Sequence, residues 1–233
     1  MSEALPDRLA KLEARVTVCR RCPRLVQWRE KVARDKRRAF AHEAYWGRPV
    51  PGWGDPTARC LVVGLAPAAH GANRTGRMFT GDESGRWLYR ALHRAGFANR
   101  AESTGPGDGL ELLDCFMTAA VRCAPPDNHP TPAERGNCRP WIEEEIDLLP
   151  AVRIVVALGQ YAYEHVLRIY RDRGHPVPSP RHPFGHGVEV ALGPEAPRVL
   201  ASYHPSQQNT FTGRLTEEML DAVFRRASDL LRG

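Results

Sequence analysis

Four short stretches of the chain are apolar at most positions, and each ends in a turn of small or polar residues. They are Cys60–Leu65, Cys115–Val121, Arg153–Leu158 and Arg198–Tyr203. Nearly uninterrupted apolar runs of this length are typical of strands in a parallel sheet that is buried on both faces. The pattern therefore predicts four buried strands.

Apolar residues at helical spacing predict helices between and around these strands. The predicted helices are Asp7–Arg15, Arg24–Lys36, Ser84–Ala95, Gln160–Arg171 and Leu215–Leu231. The alternation predicts an α/β fold with a central, mostly parallel four-stranded sheet flanked by helices in three layers. Residues 1–233 are expected to form one domain, to which the helical segment 1–38 belongs, and Val188–Leu192 is a candidate antiparallel edge strand.

The composition of the 233 residues, 42% hydrophobic and 26% charged, is that of an ordinary globular protein. The longest apolar run, Leu61–Ala69, is far shorter than the roughly 20 residues that cross a membrane. The N-terminus is charged from Glu3 onward and has no apolar region of the kind that marks a signal peptide. We therefore expect a soluble, cytoplasmic protein with no membrane partner.

The chain has a modest excess of positive charge, with a formal net charge of +6. Of its 33 basic residues, only Lys11, Lys31 and Lys36 are lysine. Guanidinium groups suit bidentate contacts with phosphate. The excess is compatible with a nucleic-acid partner and equally with a solvated surface, so charge alone does not decide between them.

The six cysteines fall into two groups. Cys60 and Cys115 lie in the apolar strand runs, where a free cysteine behaves as a small hydrophobic residue. The other four combine a C-x2-C pair with two cysteines that flank a proline-rich loop: Cys19, Cys22, Cys123 and Cys138. Zinc and iron–sulfur clusters both accept four thiolates. The wide spacing of the second pair favours a cluster, with zinc or no metal as alternatives.

Three polar loops follow predicted strands: Gly64–Gly85, Val121–Pro132 and Ser202–Thr216. In open α/β sheets, ligands bind beyond the carboxyl ends of the strands, so these loops are the candidate active-site segments. In the first loop, small residues allow close approach of a ligand, and Phe79 is available to stack on a planar ring. Asp82 is either a functional acid or the N-cap of the next helix.

The second and third loops carry the remaining candidate groups. Asn128, between prolines, suits recognition of donors and acceptors, although asparagine is also a common turn residue. His204 lies where the fourth strand ends and is followed by a polar segment. A histidine in that position is suited to polarising an oxygen of a leaving group, while its neighbours contact phosphates.

Together these segments resemble the iron–sulfur branch of the uracil-DNA glycosylase superfamily, and family 5 in particular. The shared motifs are CRRCPRL, GLAPAAHGANRTGR-x-FTGD, VRCAPP-x-N-x-PTP and SYHPSQQNT-x-TGRLT, with Cys138 between the last two. They span Cys19 to Thr216 in the family's order. The resemblance implies an enzyme that flips uracil out of DNA and hydrolyses its N-glycosidic bond, leaving an abasic site. Hypoxanthine or other damaged bases are possible further substrates.

The resemblance also assigns roles to residues. It implies that Cys19, Cys22, Cys123 and Cys138 bind a [4Fe-4S] cluster. It implies catalytic roles for Asp82, Asn128 and His204. The implied base pocket consists of Gly64, Leu65, Ala66, Phe79, Asn128 and His204. The implied DNA contacts are Arg74, Ser206, Gln207, Asn209 and Arg214.

Ala66 occupies the position at which many superfamily members carry an acidic or amide residue that handles the attacking water, as is usual in family 5. Asp82 and Asn128 are therefore the candidates for that task. The three lysines lie outside the three loops, so we expect no lyase activity, which needs an amine. The expected partner is damaged DNA, double- or single-stranded, and the expected state is a monomer. The alternatives are a non-catalytic four-cysteine nucleic-acid-binding module and an iron–sulfur electron-transfer protein.

Overall fold

A six-stranded sheet runs through the centre of the molecule, in a computed structural model that describes residues 4–177 and 183–233. Its strands are β1 (Trp53–Gly54), β2 (Cys60–Gly64), β3 (Cys115–Ala119), β4 (Ile154–Leu158), β5 (Glu189–Val190) and β6 (Arg198–Ser202). Their order across the sheet is β1-β3-β2-β4-β6-β5. The four inner strands are parallel, and β1 and β5 pair antiparallel at the two edges.

The predicted α/β class and the four parallel strands are confirmed, but the predicted number of strands is wrong. The sheet has six strands because a two-residue antiparallel strand is added at each edge. One of them, β5, falls inside the candidate edge Val188–Leu192. The other, β1, is too short to show an alternating pattern in the sequence, and the residues on either side of it are rich in glycine and proline.

Eight helices are found in the described part of the chain. They are α1 (Leu5–Thr17), α2 (Pro23–Asp35), α3 (Ala72–Thr75), α4 (Glu83–Arg94), α5 (Pro132–Leu148), α6 (Gln160–Asp172), α7 (Gln207–Phe211) and α8 (Glu217–Arg232). The five predicted helices are present, and their ends agree with the prediction to within two residues. Not one of the described helices has the length and apolar character needed to cross a membrane.

The sheet is buried between two helical layers. Residues of α4 and α8, including Leu88, Leu92 and Phe224, pack on one face. Residues of α6 and α5, including Val166 and Ile142, pack on the other face. A third apolar cluster joins α1 and α2 to α5 and includes all four cysteines of the predicted metal site. The N-terminal helices are thereby held against α5.

Helix α5 was not predicted, because its sequence contains two prolines. Pro132 occupies the first turn, where proline needs no hydrogen-bond partner, and Pro140 lies inside the helix. The helix begins with a capping box: Glu134 N donates to the Thr131 hydroxyl, and Thr131 N donates to the Glu134 carboxylate. The capping box therefore starts a helix that continues through Pro140 and carries Cys138 to the cysteine cluster.

Candidate active site

The four parallel strands end level with one another, and this edge carries the candidate site. Gly64 of β2 is paired with Ala119 of β3, and Leu158 of β4 with Ser202 of β6. Beyond the strands, Ala120 N donates to Gly64 O and Val121 N donates to Leu65 O, both at 2.9 Å. The first and second loops therefore leave the sheet side by side, as the strand order requires.

Phe79 forms one wall of the site and lies directly over the end of β2. A β-carbon on Gly64 would stand 2.5 Å from Phe79 Cζ, closer than real contacts allow. The backbone of Phe79 has a φ of 54°, an unusual value for a bulky side chain. Its carbonyl oxygen would lie 1.8 Å from a β-carbon on Gly85. Two glycines therefore make room for the ring and for its backbone.

His204 faces Phe79 across the site. Their ring centroids are 6.3 Å apart and their planes differ by 33°. The backbone of His204 is fixed by Asn209, whose Nδ2 donates to His204 O at 2.9 Å. Gly159, at the end of β4, lies beside it, and a β-carbon there would be 3.3 Å from His204 Cβ. The third loop and the end of β4 together place this imidazole at the sheet edge.

The protein surroundings keep the imidazole of His204 neutral. Burial lowers the pKa of His204 to about 4, because desolvation disfavours the charged form. At neutral pH the ring therefore carries one N–H donor and no charge. A neutral N–H donor of this kind can stabilise an oxygen that gains negative charge, and the imidazole does not have to be protonated first.

Asp82 lies at the far end of the first loop and caps α4. Its Oδ1 accepts from Gly85 N at 2.9 Å, which confirms the N-cap interpretation of the sequence. Its other oxygen, Oδ2, is 2.3 Å from where a β-carbon of Gly71 would be. Burial raises the pKa of the carboxyl group. Asp82 thus joins α4 to the first loop, and its catalytic role stays a prediction.

Asn128 lies at the end of a 3-10 turn, Pro126–Asn128, in the second loop. The residue is exposed, with a φ of 58°, a value that asparagine tolerates better than most residues. Its backbone N donates to Pro125 O. The turn interpretation is therefore correct for the backbone, and the side chain faces no protein partner among the described residues. Its role in reading a base stays a prediction.

Arg74, an expected DNA contact, is largely buried in the first loop, and its guanidinium is engaged by the protein itself. The residue is 8% exposed. Its guanidinium pairs with Glu43 and donates to His70 O at 2.9 Å and to Gly81 O at 3.0 Å. These bonds join two parts of the first loop to each other and to Glu43 of an earlier segment. Arg74 therefore shapes the loop that carries Phe79, and its predicted contact with DNA stays a prediction.

The other expected DNA contacts lie on or beside α7, next to His204. Ser206 is the residue before α7, Gln207 is exposed within it, and the exposed Arg214 lies with its guanidinium carbon 4.7 Å from the centre of the Tyr203 ring. Asn209 is half-buried and is engaged with the His204 backbone. Of the five expected contacts, Ser206, Gln207 and Arg214 remain accessible.

The four cysteines assigned to a metal line one small cavity. Cys22 precedes α2, Cys123 follows β3 and Cys138 lies in α5, so three separate parts of the chain bring them and Cys19 together. Among the described residues, no three cysteine, histidine or carboxylate side chains converge closely enough to hold a single metal ion. Zinc and iron–sulfur clusters both accept four thiolates, so the donor set suits either group and the predicted cluster stays a prediction.

Nitrogen donors point at three of these sulfur atoms. Arg29 Nη1 lies 2.9 Å from Cys123 Sγ, Arg122 N 3.2 Å from Cys138 Sγ, and Asn137 Nδ2 3.6 Å from Cys22 Sγ. N–H donors of this kind are the usual partners of cluster thiolates. Neither Arg29 nor Asn137 was singled out from the sequence, although Arg29 stands seven positions after Cys22 in a helix and so on the same face.

A parallel sheet with polar groups at its carboxyl edge is typical of α/β enzymes, which bind ligands beyond the strand ends. The four-cysteine cavity has a separate lining. The sequence model of the uracil DNA glycosylase superfamily matches residues 51–228. The chain belongs to this superfamily, and the resemblance drawn from its motifs is confirmed.

Several relatives are similar over almost the whole chain. A type-5 uracil-DNA glycosylase of Mycobacterium bovis is 57% identical over 223 residues, covering 95% of this chain and 81% of the relative. One from Thermus thermophilus is 54% identical over 215 residues, covering 92% of this chain and 94% of the relative. One from Pyrobaculum aerophilum is 48% identical over 214 residues, covering 92% of this chain and 89% of the relative. The similarity thus extends beyond residues 51–228 to the N-terminal helices.

Proposed function

We propose that this protein removes uracil from DNA by hydrolysing the N-glycosidic bond, and so acts in DNA repair. The observation that carries the proposal is a neutral His204 facing the ring of Phe79, 6.3 Å away, at the carboxyl edge of the sheet. The names of the similar proteins support it, since each is a type-5 uracil-DNA glycosylase.

The chemistry requires stabilisation of a departing anion. When the glycosidic bond breaks, uracil leaves with negative charge on its oxygens and the sugar becomes positively charged. Phe79 stacks on the flipped base, and His204 donates a hydrogen bond to the oxygen on which charge develops. Because that charge is larger in the transition state than in the bound substrate, the bond accelerates the reaction more than it strengthens binding.

Asp82 is the group we assign to the attacking water. It is an acid at the end of the Phe79 loop, and a carboxylate there also favours the positive sugar. Its Oδ1 accepts from Gly85 N in the α4 cap, and a carboxylate has further lone pairs with which to accept from a water. Asn128, which is exposed on the neighbouring loop, reads the polar edge of the base.

The DNA is held by the surface around α7. Ser206, Gln207 and Arg214 contact the phosphates or grooves, and Asn209 acts indirectly by holding His204. Flipping costs least at a mismatched or damaged pair, which contributes to selectivity. We place the reaction on DNA in the cytoplasm and expect the protein to act as a monomer.

The four cysteines hold a [4Fe-4S] cluster in this proposal. It rests on the thiol donor set, on the shared cavity and on the N–H donors directed at three sulfur atoms. A cluster held by these cysteines would cross-link α2, the second loop and α5. Ala66 packs against the same apolar cluster as the cysteines, so the metal site supports the start of the first loop.

The test is base release from defined DNA. The protein is incubated with duplexes that contain one uracil, one hypoxanthine or only normal bases, and strand breaks are counted before and after alkali. Release of free uracil with breaks that appear only after alkali supports the proposal, and the hypoxanthine duplex defines the substrate range. Binding to all three duplexes without base release would mean that the protein is the non-catalytic nucleic-acid-binding module.

A further inference from the structure

Arg29 is a buried cation in the middle of the cysteine site. It lies in α2 and is 2% exposed. Its Nη1 donates to Cys123 Sγ at 2.9 Å and its Nη2 to Cys19 O at 3.2 Å, while its Nε has no partner among the described residues. One side chain therefore contacts two of the four cysteines, one through sulfur and one through its carbonyl.

A guanidinium in such a place needs an anion, because an unpaired charge away from water is strongly destabilising. The nearest carboxylate oxygen in the described structure, Glu30 Oε1, is 3.9 Å away, and its side chain is 41% exposed. Glu30 also makes a much closer pair with Arg20. The group in direct contact that can carry negative charge is the sulfur of Cys123.

The second buried arginine of the site is paired differently. The guanidinium of Arg122 lies 2.5 Å from Glu145, which also accepts from the Thr118 hydroxyl. Arg122 approaches the cysteines through its backbone N, which donates to Cys138 Sγ. Its positive charge is therefore balanced by a buried carboxylate in direct contact, whereas Arg29 has only the more distant and exposed Glu30.

We propose that Arg29 is the positioning residue and counter-ion of the cluster, through Cys123, and that its charge raises the cluster's reduction potential. The inference rests on the proposed [4Fe-4S] cluster. Reduction adds one electron, and hence one negative charge, to the cluster. A fixed cation and an N–H donor at one sulfur stabilise the more negative form, and they also oppose oxidative loss of iron.

The experiment uses the full-length protein purified without oxygen, as the wild type and as three variants. Arg29→Met removes the charge and the donor at similar length, Arg29→Lys keeps the charge, and Arg34→Met is the matched control. Arg34 lies on the same helix with its side chain 74% exposed. Three quantities are measured for each protein. They are the iron and sulfide content per chain, the midpoint potential in a dye-mediated titration, and the half-life of the visible absorbance in air.

We expect Arg29→Met to shift the potential to a more negative value and to shorten the half-life several-fold. The midpoint potential of Arg29→Lys should be close to that of the wild type. Arg34→Met should match the wild type in both midpoint potential and half-life. If Arg29→Met cannot be isolated with a cluster, the neutral Arg29→Gln takes its place in the same comparison with Arg29→Lys.

Two results overturn the inference. One is an Arg29→Met protein with wild-type iron, potential and half-life. The other is an Arg29→Lys protein that is shifted as far as Arg29→Met, since charge would then not be the cause. A wild-type protein without iron after anaerobic purification is a different outcome. It refutes the proposed cluster itself and, with it, this role of Arg29, while leaving base excision to its own test.

Discussion

The ring of Phe79 lies so close to Gly64 that a single methyl group on residue 64 would have no space. The β-carbon would stand 2.5 Å from Cζ and 3.3 and 3.4 Å from the two ring Cε atoms. His204 is the ring neighbour of Phe79, with its centroid 6.3 Å away, so the placement of Phe79 beside it depends on the bare backbone at the end of β2.

We expect Gly64→Ala to reduce uracil release by at least about ten-fold, because a displaced ring no longer meets the base and misplacement by about 1 Å is costly. The free energy of unfolding should fall by only about 1–3 kcal/mol, as for other overpacked sites. Gly105→Ala is the control, since no atom lies within 4 Å of a β-carbon there. An active Gly64→Ala enzyme would show that the ring is not used.

His204→Ala should slow single-turnover base release by about 100-fold or more, a typical loss for a group that stabilises developing charge. The Kd for uracil-containing DNA should change much less, because the charge is absent from the bound substrate. His93→Ala, at an exposed position in α4, is the control. Weaker binding with an unchanged single-turnover rate would make His204 a docking residue.

The pH dependence should distinguish Asp82 from His204. The pKa of His204 is lowered to about 4, so this ring stays neutral, and active, from alkaline pH down to nearly pH 4. Burial raises the pKa of Asp82, so the carboxylate is lost at a higher pH than for an ordinary aspartate. Single-turnover rates should therefore fall on the acid side through the titration of Asp82.

Asp82→Asn tests this assignment, because asparagine is as good an N-cap as aspartate. The free energy of unfolding of this variant should lie within about 1 kcal/mol of the wild-type value. Its single-turnover rate should nevertheless be much lower and should lack the fall at acid pH. Wild-type rates in Asp82→Asn would mean that the residue serves only as the cap of α4.

Cys138→Ser should yield colourless protein with less iron and a lower melting temperature, since a hydroxyl is a poor ligand for the cluster. Cys60→Ser should retain its iron, because Cys60 is buried in β2 beside Cys115 of β3, away from the cavity. Iron analysis and the visible spectrum of both variants provide the measurement. Equal iron content in the wild type and Cys138→Ser would refute the ligand assignment.

We expect the product to be an intact abasic strand that breaks only after alkali or heat. A lyase step needs an amine that forms a Schiff base with the sugar. Lys11 and Lys31 lie in α1 and α2, and Lys36 immediately follows α2, so none belongs to the three loops at the sheet edge. Borohydride trapping is the measurement, and a covalent adduct that disappears in Lys36→Ala would contradict the expectation.

The four long strands could be predicted to within about two residues because a buried parallel strand is a local signal. The run at Cys60–Leu65, for example, became β2 with one residue fewer. Helix α5 was missed because Pro132 and Pro140 suggest a loop, although the Thr131–Glu134 capping box was a local sign of its start.

The site was predictable where it depends on strand ends and not where it depends on distant pairs. His204 and Phe79 follow strands β6 and β2, so the α/β pattern alone brings them to one edge. The burial of Arg74 depends on Glu43, 31 positions earlier, and that of Arg29 on Cys123, 94 positions later. Pairings over such distances leave no periodic trace in a single sequence.

The shortness of β1 and β5 bears on the solubility of the folded protein. An exposed sheet edge invites backbone pairing with another molecule, and short strands or prolines prevent it. In this protein each edge strand, β1 or β5, is only two residues long, and β1 lies between Pro51 and Pro56. The four strands long enough to template aggregation all lie inside the sheet, so the native protein is protected against edge-to-edge aggregation at high concentration.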